Sequence, residues 1–304
     1  MTVPVRISVI LGRVSTEDGE RVLETIAALE PERLAMGCEI VIADRIQDKV
    51  SDRIKTSYPH VRLIPCPSDM SLPKMRTLAF RASSGSIVAV TEDHCVPQPG
   101  WLSIVSNAFD NGGTDLVAVG GSVANGVTVR GLDWATFLCE YSYFSPPVFE
   151  GATPVLPGMN IAYRRSVLEE APDDVLTSGF WETTLHPRLL SNGGALLSMN
   201  ALRMNHCKKF SMRLFMAQRF LYSRYYAGVR FQNAGYAKRL AAAAGALLLP
   251  PILLWRMTGA AQAKGLGHEF RLAFPALLVF VFVWSVGEAV GSLLGPGDAL
   301  ARIE

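Results

Sequence analysis

The chain has 304 residues, of which 49% are hydrophobic and 18% are charged, and its formal net charge is +2. This composition does not limit the hydrophobic core and leaves room for one large domain with an appendage or for two domains. The five cysteines are scattered, which excludes a zinc knuckle or a redox dithiol and favours a reduced, cytosolic catalytic portion.

The first part of the chain alternates predicted strands and helices. Residues 5–11 form a first apolar strand, and the N-terminus lacks the basic region and cleavage site of a signal peptide. Apolar residues then recur at helical intervals from Val22 to Leu29, until Pro31 interrupts them. Further strands are predicted over 39–44, 61–65, 87–90 and 116–119, with helices over 75–84, 99–109 and 181–190. This alternation predicts a mostly parallel sheet with right-handed crossovers.

An acidic cluster, Glu92-Asp93-His94, directly follows the predicted strand at residues 87–90. Open α/β sheets bind ligands beyond the carboxyl ends of their parallel strands. Two carboxylates and an imidazole suit a divalent cation such as Mg²⁺ or Mn²⁺ that bridges a diphosphate. The cluster therefore predicts a nucleotide-diphosphate site, and the alternative is a solvated acidic strand end.

Two apolar segments near the C-terminus, at about 240–257 and 272–294, predict a transmembrane hairpin within residues 240–304. The first segment is short and broken by Pro250 and Pro251, whereas the second is long enough to cross a bilayer and contains one acid, Glu288. Basic residues are more frequent before the hairpin than in its connecting loop, so the positive-inside rule keeps the N-terminal domain in the cytoplasm. The alternative is a pair of buried helices in a soluble domain.

Residues 208–239 are basic and aromatic. Phe210, Leu214, Leu221, Tyr225 and Val229 share one side of a predicted helix, and basic residues lie on another. This pattern predicts amphipathic helices in the headgroup layer. Nucleic-acid binding is disfavoured because no basic reader domain accompanies the stretch.

The loop after the first strand does not match the glycine fingerprint of Rossmann dinucleotide enzymes. Instead, residues 75–102 resemble the central segment of family 2 glycosyltransferases. Those enzymes carry Ala-Arg-Asn, Ala-x-Gly, a strand, Asp-x-Asp and Pro-x-Pro-x-Trp-Leu in the same order and spacing. The resemblance runs from the first strand to about residue 230. It implies a GT-A fold, an α/β sheet sandwiched by helices, as the catalytic domain over residues 1–207.

The resemblance also implies site residues. Asp44 matches the acid that contacts the nucleoside, and Arg76 matches the basic residue of Ala-Arg-Asn. Glu92 and His94 fall on the two acidic positions of Asp-x-Asp, with Asp93 between them. The histidine departs from this pattern, so the sequence leaves open whether Asp93 or His94 holds the metal. Glu92 and Asp93 are also expected to contact the nucleotide-diphosphate sugar.

Three further residues follow from the resemblance. Glu182 falls on the position of the catalytic base in the family's Glu-Asp-x-x-Leu-x-x-Arg-Leu segment, and Trp181 replaces the first acid of that segment. Inverting transfer needs such a carboxylate to take the proton from the hydroxyl of the acceptor substrate. The alternative for Glu182 is an acid favoured by a helix N-terminus. His206 lies where some relatives complete the metal or diphosphate site, and Asn160 is a sugar-contact candidate through its amide.

Together these features predict an inverting glycosyltransferase of the inner membrane, with its catalytic domain in the cytoplasm. Processive synthases usually carry Gln-x-x-Arg-Trp, which the sequence at Gln218 does not match, so transfer of a single sugar is expected. The expected partners are a nucleotide sugar and a lipid or lipid-linked acceptor, without nucleic acid, and a homo-oligomer is left open. The rivals are a nucleotidyltransferase and a catalytically idle, sugar-nucleotide-binding subunit of a membrane complex.

Overall fold

A computed structural model describes residues 5–304, which form two compact units. The first unit comprises residues up to Gly126 together with Phe144–Lys208. The second comprises Val127–Tyr143 and Lys209–Glu304.

The first unit contains a nine-stranded sheet. Its strands are β1 (Ile7–Arg13), β2 (Glu39–Asp44), β3 (Arg62–Pro65), β4 (Ile87–Glu92), β5 (Cys95–Pro97), β6 (Leu116–Asn125), β7 (Gly151–Ala152), β8 (Ile161–Arg164) and β9 (Ala195–His206). The first helices of this unit are α1 (Arg21–Met36), α2 (Lys49–Ser57), α3 (Leu72–Ala82) and α4 (Trp101–Asn111). Helix α5 (Gly131–Tyr141) belongs to the second unit, and the first unit continues with α6 (Arg165–Glu169), α7 (Asp173–Thr177), α8 (Trp181–Thr184) and α9 (His186–Ser191).

The strand order is β3-β2-β1-β4-β8-β6-β9-β5, and β7 pairs with β9 outside this path. Strands β1 to β4 pair in parallel with one another, as expected from the alternation of strands and helices. Strands β5, β7 and β8 are antiparallel to their neighbours, so the sheet is mixed. The core of this unit surrounds β1, β2 and β4, whose apolar side chains are buried.

Two helices differ from the prediction at prolines. Helix α1 continues through Pro31 to Met36, although proline lacks the N–H that an interior helical position donates. The predicted helix at 181–190 is divided into α8 and α9, and Pro187 occupies the first turn of α9, where no intrahelical N–H is required.

The second unit is helical. It contains α5 (Gly131–Tyr141), α10 (Met212–Arg230), α11 (Tyr236–Gly245), α12 (Leu249–Ala263), α13 (Gly267–Leu294) and α14 (Ala299–Arg302). Helices α11 and α12, joined by a 3₁₀ turn, form the helical segment Tyr236–Ala263, which is 28 residues long with a mean hydropathy of 1.6. Helix α13 is also 28 residues long, with a mean hydropathy of 2.0. By length and composition, both segments could cross a membrane.

Helix α10 packs along α13 within this unit. Gly287 and Gly291 of α13 lie against Ser223 and Arg224 of α10, where any larger residue would collide with α10. The expected apolar side of α10 is partly correct: Leu221 and Tyr225 are buried, whereas Val229 is exposed.

Candidate active site

One arginine joins two carboxylates that are far apart in the sequence. Arg76 of α3 is buried, and its Nη2 lies 3.1 Å from Oε1 of Glu92 at the end of β4. Its Nη1 lies 3.4 Å from Oε2 of Glu182 in the first turn of α8. The structure therefore brings Arg76, Glu92 and Glu182 together, as the sequence-based prediction of one shared pocket requires.

Two histidines adjoin Glu92. His94 Nε2 lies 3.4 Å from Glu92 Oε2 and 3.1 Å from Nε2 of His206 at the end of β9. His206 lies close to His94 because β5 and β9 pair in antiparallel orientation, which places Cys95, the neighbour of His94, opposite His206. Both imidazoles are buried, so their hydrogen-bonding nitrogens need partners.

The pKa values of this cluster diverge. Burial lowers the pKa of His206 well below its ordinary value, and the positive charges of His94 and Lys208 lower it further. Burial also disfavours the charged form of His94, but hydrogen bonds to Asp93 and Glu92 raise its pKa above the ordinary value. The hydrogen bond and charge of His94, together with Arg76, outweigh burial and lower the pKa of Glu92. The pKa values of the two facing imidazoles are therefore shifted in opposite directions.

Asp93 lies beside the cluster and connects His94 to the loop after β1. Its Oδ2 accepts hydrogen bonds from the backbone N–H groups of Val14 and Ser15, and its Oδ1 accepts one from the Ser15 hydroxyl. The same Oδ1 lies 2.8 Å from His94 Nδ1, which must donate because the pKa of Asp93 is held far below its ordinary range. Asp93 thus positions His94 in this structure, and its binding of metal or donor stays a prediction.

The residues that remain fit a divalent cation. The hydrogen bond to Asp93 leaves His94 Nε2 as its ligand atom, in the carboxylate–histidine arrangement typical of metal sites. Two nitrogens that bind one cation at about 2.1 Å lie roughly 3 Å apart in neighbouring positions, close to the separation of the two Nε2 atoms. Glu92 adds a carboxylate oxygen, and Cys95 Sγ lies within 4.8 Å of the donor atoms of Glu92 and His94. Burial raises the pKa of Cys95 well above its ordinary value, so this neutral thiol is a poor ligand for Mg²⁺ or Mn²⁺.

Asp44 is buried and organises its own loop. Its Oδ1 accepts hydrogen bonds from the backbone N–H groups of Ile46 and Gln47, and its Oδ2 accepts one from the Ser51 hydroxyl. The carboxylate also pairs with buried Arg13 at 3.4 Å. Asp44 therefore holds the loop between β2 and α2 in this structure, and its contact with the nucleoside stays a prediction.

Asn160 also has a structural position. Its amide nitrogen donates to the carbonyls of Ser122 and Leu202, and its amide oxygen accepts from Trp101 Nε1 at 2.7 Å. These bonds connect β6, β9 and α4 through one fully buried side chain. The amide therefore holds these elements together in this structure, and its contact with a sugar stays a prediction.

Three residues that the sequence-based prediction did not single out support Glu182. A Cβ on Gly158 would lie 1.8 Å from Glu182 Oε1, so the carboxylate requires a glycine there. Tyr163 packs edge-on against Trp181, and its hydroxyl lies 2.7 Å from Nε2 of buried His186. The Leu-Pro-Gly-Met-Asn run was a usable signal for Gly158, but nothing in the sequence pairs Tyr163 with His186.

The comparisons identify the family. The family model described as "Glycosyl transferase family 2" matches residues 17–171, about half of the chain. The chain belongs to glycosyl transferase family 2. This family 2 chain is therefore a glycosyltransferase, as the motif order predicted. No curated protein sequence matches the chain.

Two solved structures resemble this family 2 chain. A mannosyltransferase from Pyrobaculum calidifontis, in complex with GDP-Man and Mn²⁺, is 16% identical with a TM-score of 0.56, over 94% of this chain and 88% of that chain. GalNAc-T7, with UDP, GalNAc and Mn²⁺, is 15% identical with a TM-score of 0.51, over 68% of this chain and 44% of that chain. Both confirm the expected GT-A fold.

Gly158→Ala should separate catalytic geometry from stability. The new methyl displaces the flexible end of Glu182, so the free energy of unfolding should change by less than about 1 kcal/mol. Sugar transfer should fall by about a hundredfold, because a misplacement of about 1 Å is that costly. Denaturant unfolding and initial rates measure the two effects. A matched Gly235→Ala variant, with open space around its Cβ, should leave both unchanged, and a fully active Gly158→Ala enzyme would contradict the prediction.

His186 should make the fold acid-sensitive. Burial lowers the pKa of His186 to about 4, so between pH 6.5 and 4 the unfolded chain binds more protons than the folded chain. Stability should therefore fall with pH, by on the order of 3 kcal/mol at pH 4 from this residue alone. Urea unfolding at pH 7, 5.5 and 4 should show a shallower loss for His186→Gln than for wild type. Equal losses would exclude His186 as the source.

Proposed function

We propose that this family 2 chain is an inverting glycosyltransferase that moves a single sugar from a nucleotide-diphosphate sugar to a lipid-linked acceptor. The observation that carries the proposal is the Arg76 bridge, in which Glu92 and Glu182 contact one guanidinium at 3.1 and 3.4 Å. It supports a pocket with a phosphate-binding group on one side and a candidate base on the other.

In this mechanism Glu182 is the catalytic base. Its side chain is 25% exposed, so an acceptor hydroxyl can reach it, and Arg76 fixes its position. The acceptor oxygen forms a bond to the anomeric carbon as the bond from that carbon to the diphosphate breaks on the opposite face. The hydroxyl proton passes to Glu182, and the electron pair of the broken bond leaves with the nucleoside diphosphate.

Glu92, His94 and His206 would hold Mg²⁺ or Mn²⁺. The cation supplies positive charge that stabilises the leaving diphosphate. Asp93 fixes the tautomer of His94 through Nδ1, and the Ser15 hydroxyl and backbone in turn hold Asp93. The occurrence of Mn²⁺ and nucleotide sugars or nucleotides in the two similar structures is consistent with this assignment.

Membrane attachment supports the choice of acceptor. The segments Tyr236–Ala263 and Gly267–Leu294 are long and apolar enough to enter a bilayer, and an anchored enzyme meets membrane-borne acceptors most often. Basic residues concentrate before the first segment, which favours a catalytic unit on the cytoplasmic side of the inner membrane.

Glu182→Gln tests the chemistry. The amide keeps the size of the side chain but accepts no proton, so transfer should fall by about 10²- to 10⁴-fold while donor binding is retained. Donor binding is first identified by thermal shift with a panel of nucleotide sugars, with and without Mn²⁺. The control is Glu170→Gln, an exposed acid elsewhere in the same unit. If Glu182→Gln alters no transfer rate with any acceptor, the alternative of a catalytically idle subunit is correct. Release of pyrophosphate from a nucleoside triphosphate would instead favour a nucleotidyltransferase.

His206→Ala tests the cation site. Loss of one ligand should weaken Mn²⁺ binding by at least about tenfold, which the electron paramagnetic resonance signal of free Mn²⁺ measures directly. His60→Ala, which removes a histidine that pairs with Glu30, is the control and should bind Mn²⁺ like the wild type. Unchanged binding by His206→Ala would remove His206 from the proposed site.

A further inference from the structure

The helical unit contains a cavity that the transfer chemistry does not use. Its volume is about 230 Å³, and α5, α10, α12 and α13 all contribute to its walls. Roughly seven molecules of liquid water occupy that volume, so it suits a headgroup but not a whole nucleotide sugar. The side chains that matter are Arg219, Arg256, Met257, Phe280 and Trp284.

Arg219 is an unusual wall residue because it is a buried cation. The residue is 7% exposed, and its Nη1 donates to Oε1 of Glu140 at 2.9 Å. Its guanidinium carbon lies 4.3 Å from the centroid of the Trp284 ring. Its Nε is buried and has no hydrogen-bond acceptor among the described residues 5–304. A desolvated guanidinium with an unused donor is costly unless an acceptor arrives.

A second cation lines the same cavity. Arg256 belongs to α12, within the apolar segment Tyr236–Ala263, and forms no ion pair with residues 5–304. Two arginines line the cavity, and Glu140, which pairs with Arg219, carries one negative charge, so these three groups together are net positive. Ionisable residues inside apolar helical segments usually mark a ligand site, because their burial is expensive without a partner.

The remaining walls and neighbours are apolar. Met257 and Phe280 line the cavity, and exposed Trp255 and Phe282 lie on the same two helices, α12 and α13. A ligand that satisfies both features has an anionic head for the arginines and a hydrocarbon chain for the exposed helix surface. An isolated inorganic anion would leave the apolar surface unused.

We infer that this cavity binds the phosphate head of an anionic lipid, with Arg219 and Arg256 contacting phosphate oxygens and the hydrocarbon chain lying along α12 and α13. The inference rests on the proposed function in taking these helices as membrane-embedded. Arginine presents several N–H donors in a fixed plane and is suited to phosphate oxygens. The site gives the enzyme a means to select phosphate-bearing lipids from the bilayer.

The test uses the full-length protein in detergent and compares three probes by thermal unfolding. Dioleoyl phosphatidic acid should raise the unfolding temperature, whereas dioleoylglycerol, with the same chains but no phosphate, and inorganic phosphate should not. Arg256→Gln should weaken the apparent affinity for phosphatidic acid by about tenfold, the effect of losing one charged hydrogen bond. Arg213→Gln removes an exposed charge on α10 outside the cavity and should bind like the wild type.

Arg219 needs a paired substitution, because Arg219→Gln alone leaves Glu140 without its cation. The double variant Glu140→Gln with Arg219→Gln removes both charges, and it should fold and lose the response to phosphatidic acid. Equal stabilisation by dioleoylglycerol, a full response to inorganic phosphate alone, or equal losses in Arg213→Gln and Arg256→Gln would each overturn the inference. No sugar donor is present in these measurements, so a negative result would contradict the lipid site without contradicting the proposed transferase activity. Equally, the transfer rate of Glu182→Gln tests the transferase activity and does not bear on the lipid site.

Discussion

The candidate site depends on one electrostatic constraint, the guanidinium of Arg76 between Glu92 and Glu182. The two carboxylates come from different elements, the end of β4 and the start of α8, and each would repel the other in a partly buried pocket without the arginine. The Arg76 side chain is 2% exposed, whereas those of Glu92 and Glu182 are 15% and 25% exposed, so the arginine is the most deeply buried of the three. The position of α3 on the sheet therefore determines whether Glu92 and Glu182 lie together.

The residues of the candidate site are positioned by neighbouring residues whose own polar atoms are already hydrogen-bonded. Asp93 connects the loop after β1 to His94, and Asp44 closes the loop between β2 and α2. Asn160 joins β6, β9 and α4. Buried polar groups of this kind must be satisfied, and their partners make the surrounding loops rigid. Motif positions in this chain thus divide into groups that face the pocket and groups that hold those in place.

The strength of the sequence signal explains which features could be predicted. The strand at 39–44 is short, apolar and bounded by polar residues, so its limits agree with β2. Strands β5 and β7 have only three and two residues, which is too few for a readable period, so the antiparallel pairing that they add to the sheet was not predicted. The structural use of Asp93 and Asn160 was also unpredictable, because partners such as Val14 and Leu202 are distant in the sequence.

The same limit applies to the helical unit, whose sequence predicts basic amphipathic helices followed by two apolar segments. The pairing of Arg219 with Glu140 joins α10 to α5 across a long stretch of chain, and no local pattern predicts it. Burying that ion pair costs desolvation energy that its mutual attraction offsets only with good geometry and further hydrogen bonds. Stacking on Trp284 recovers part of this cost, but the arginine Nε still lacks an acceptor. A purely hydrophobic contact would hold these helices at lower cost, so a passive anchoring role does not account for the charges placed there.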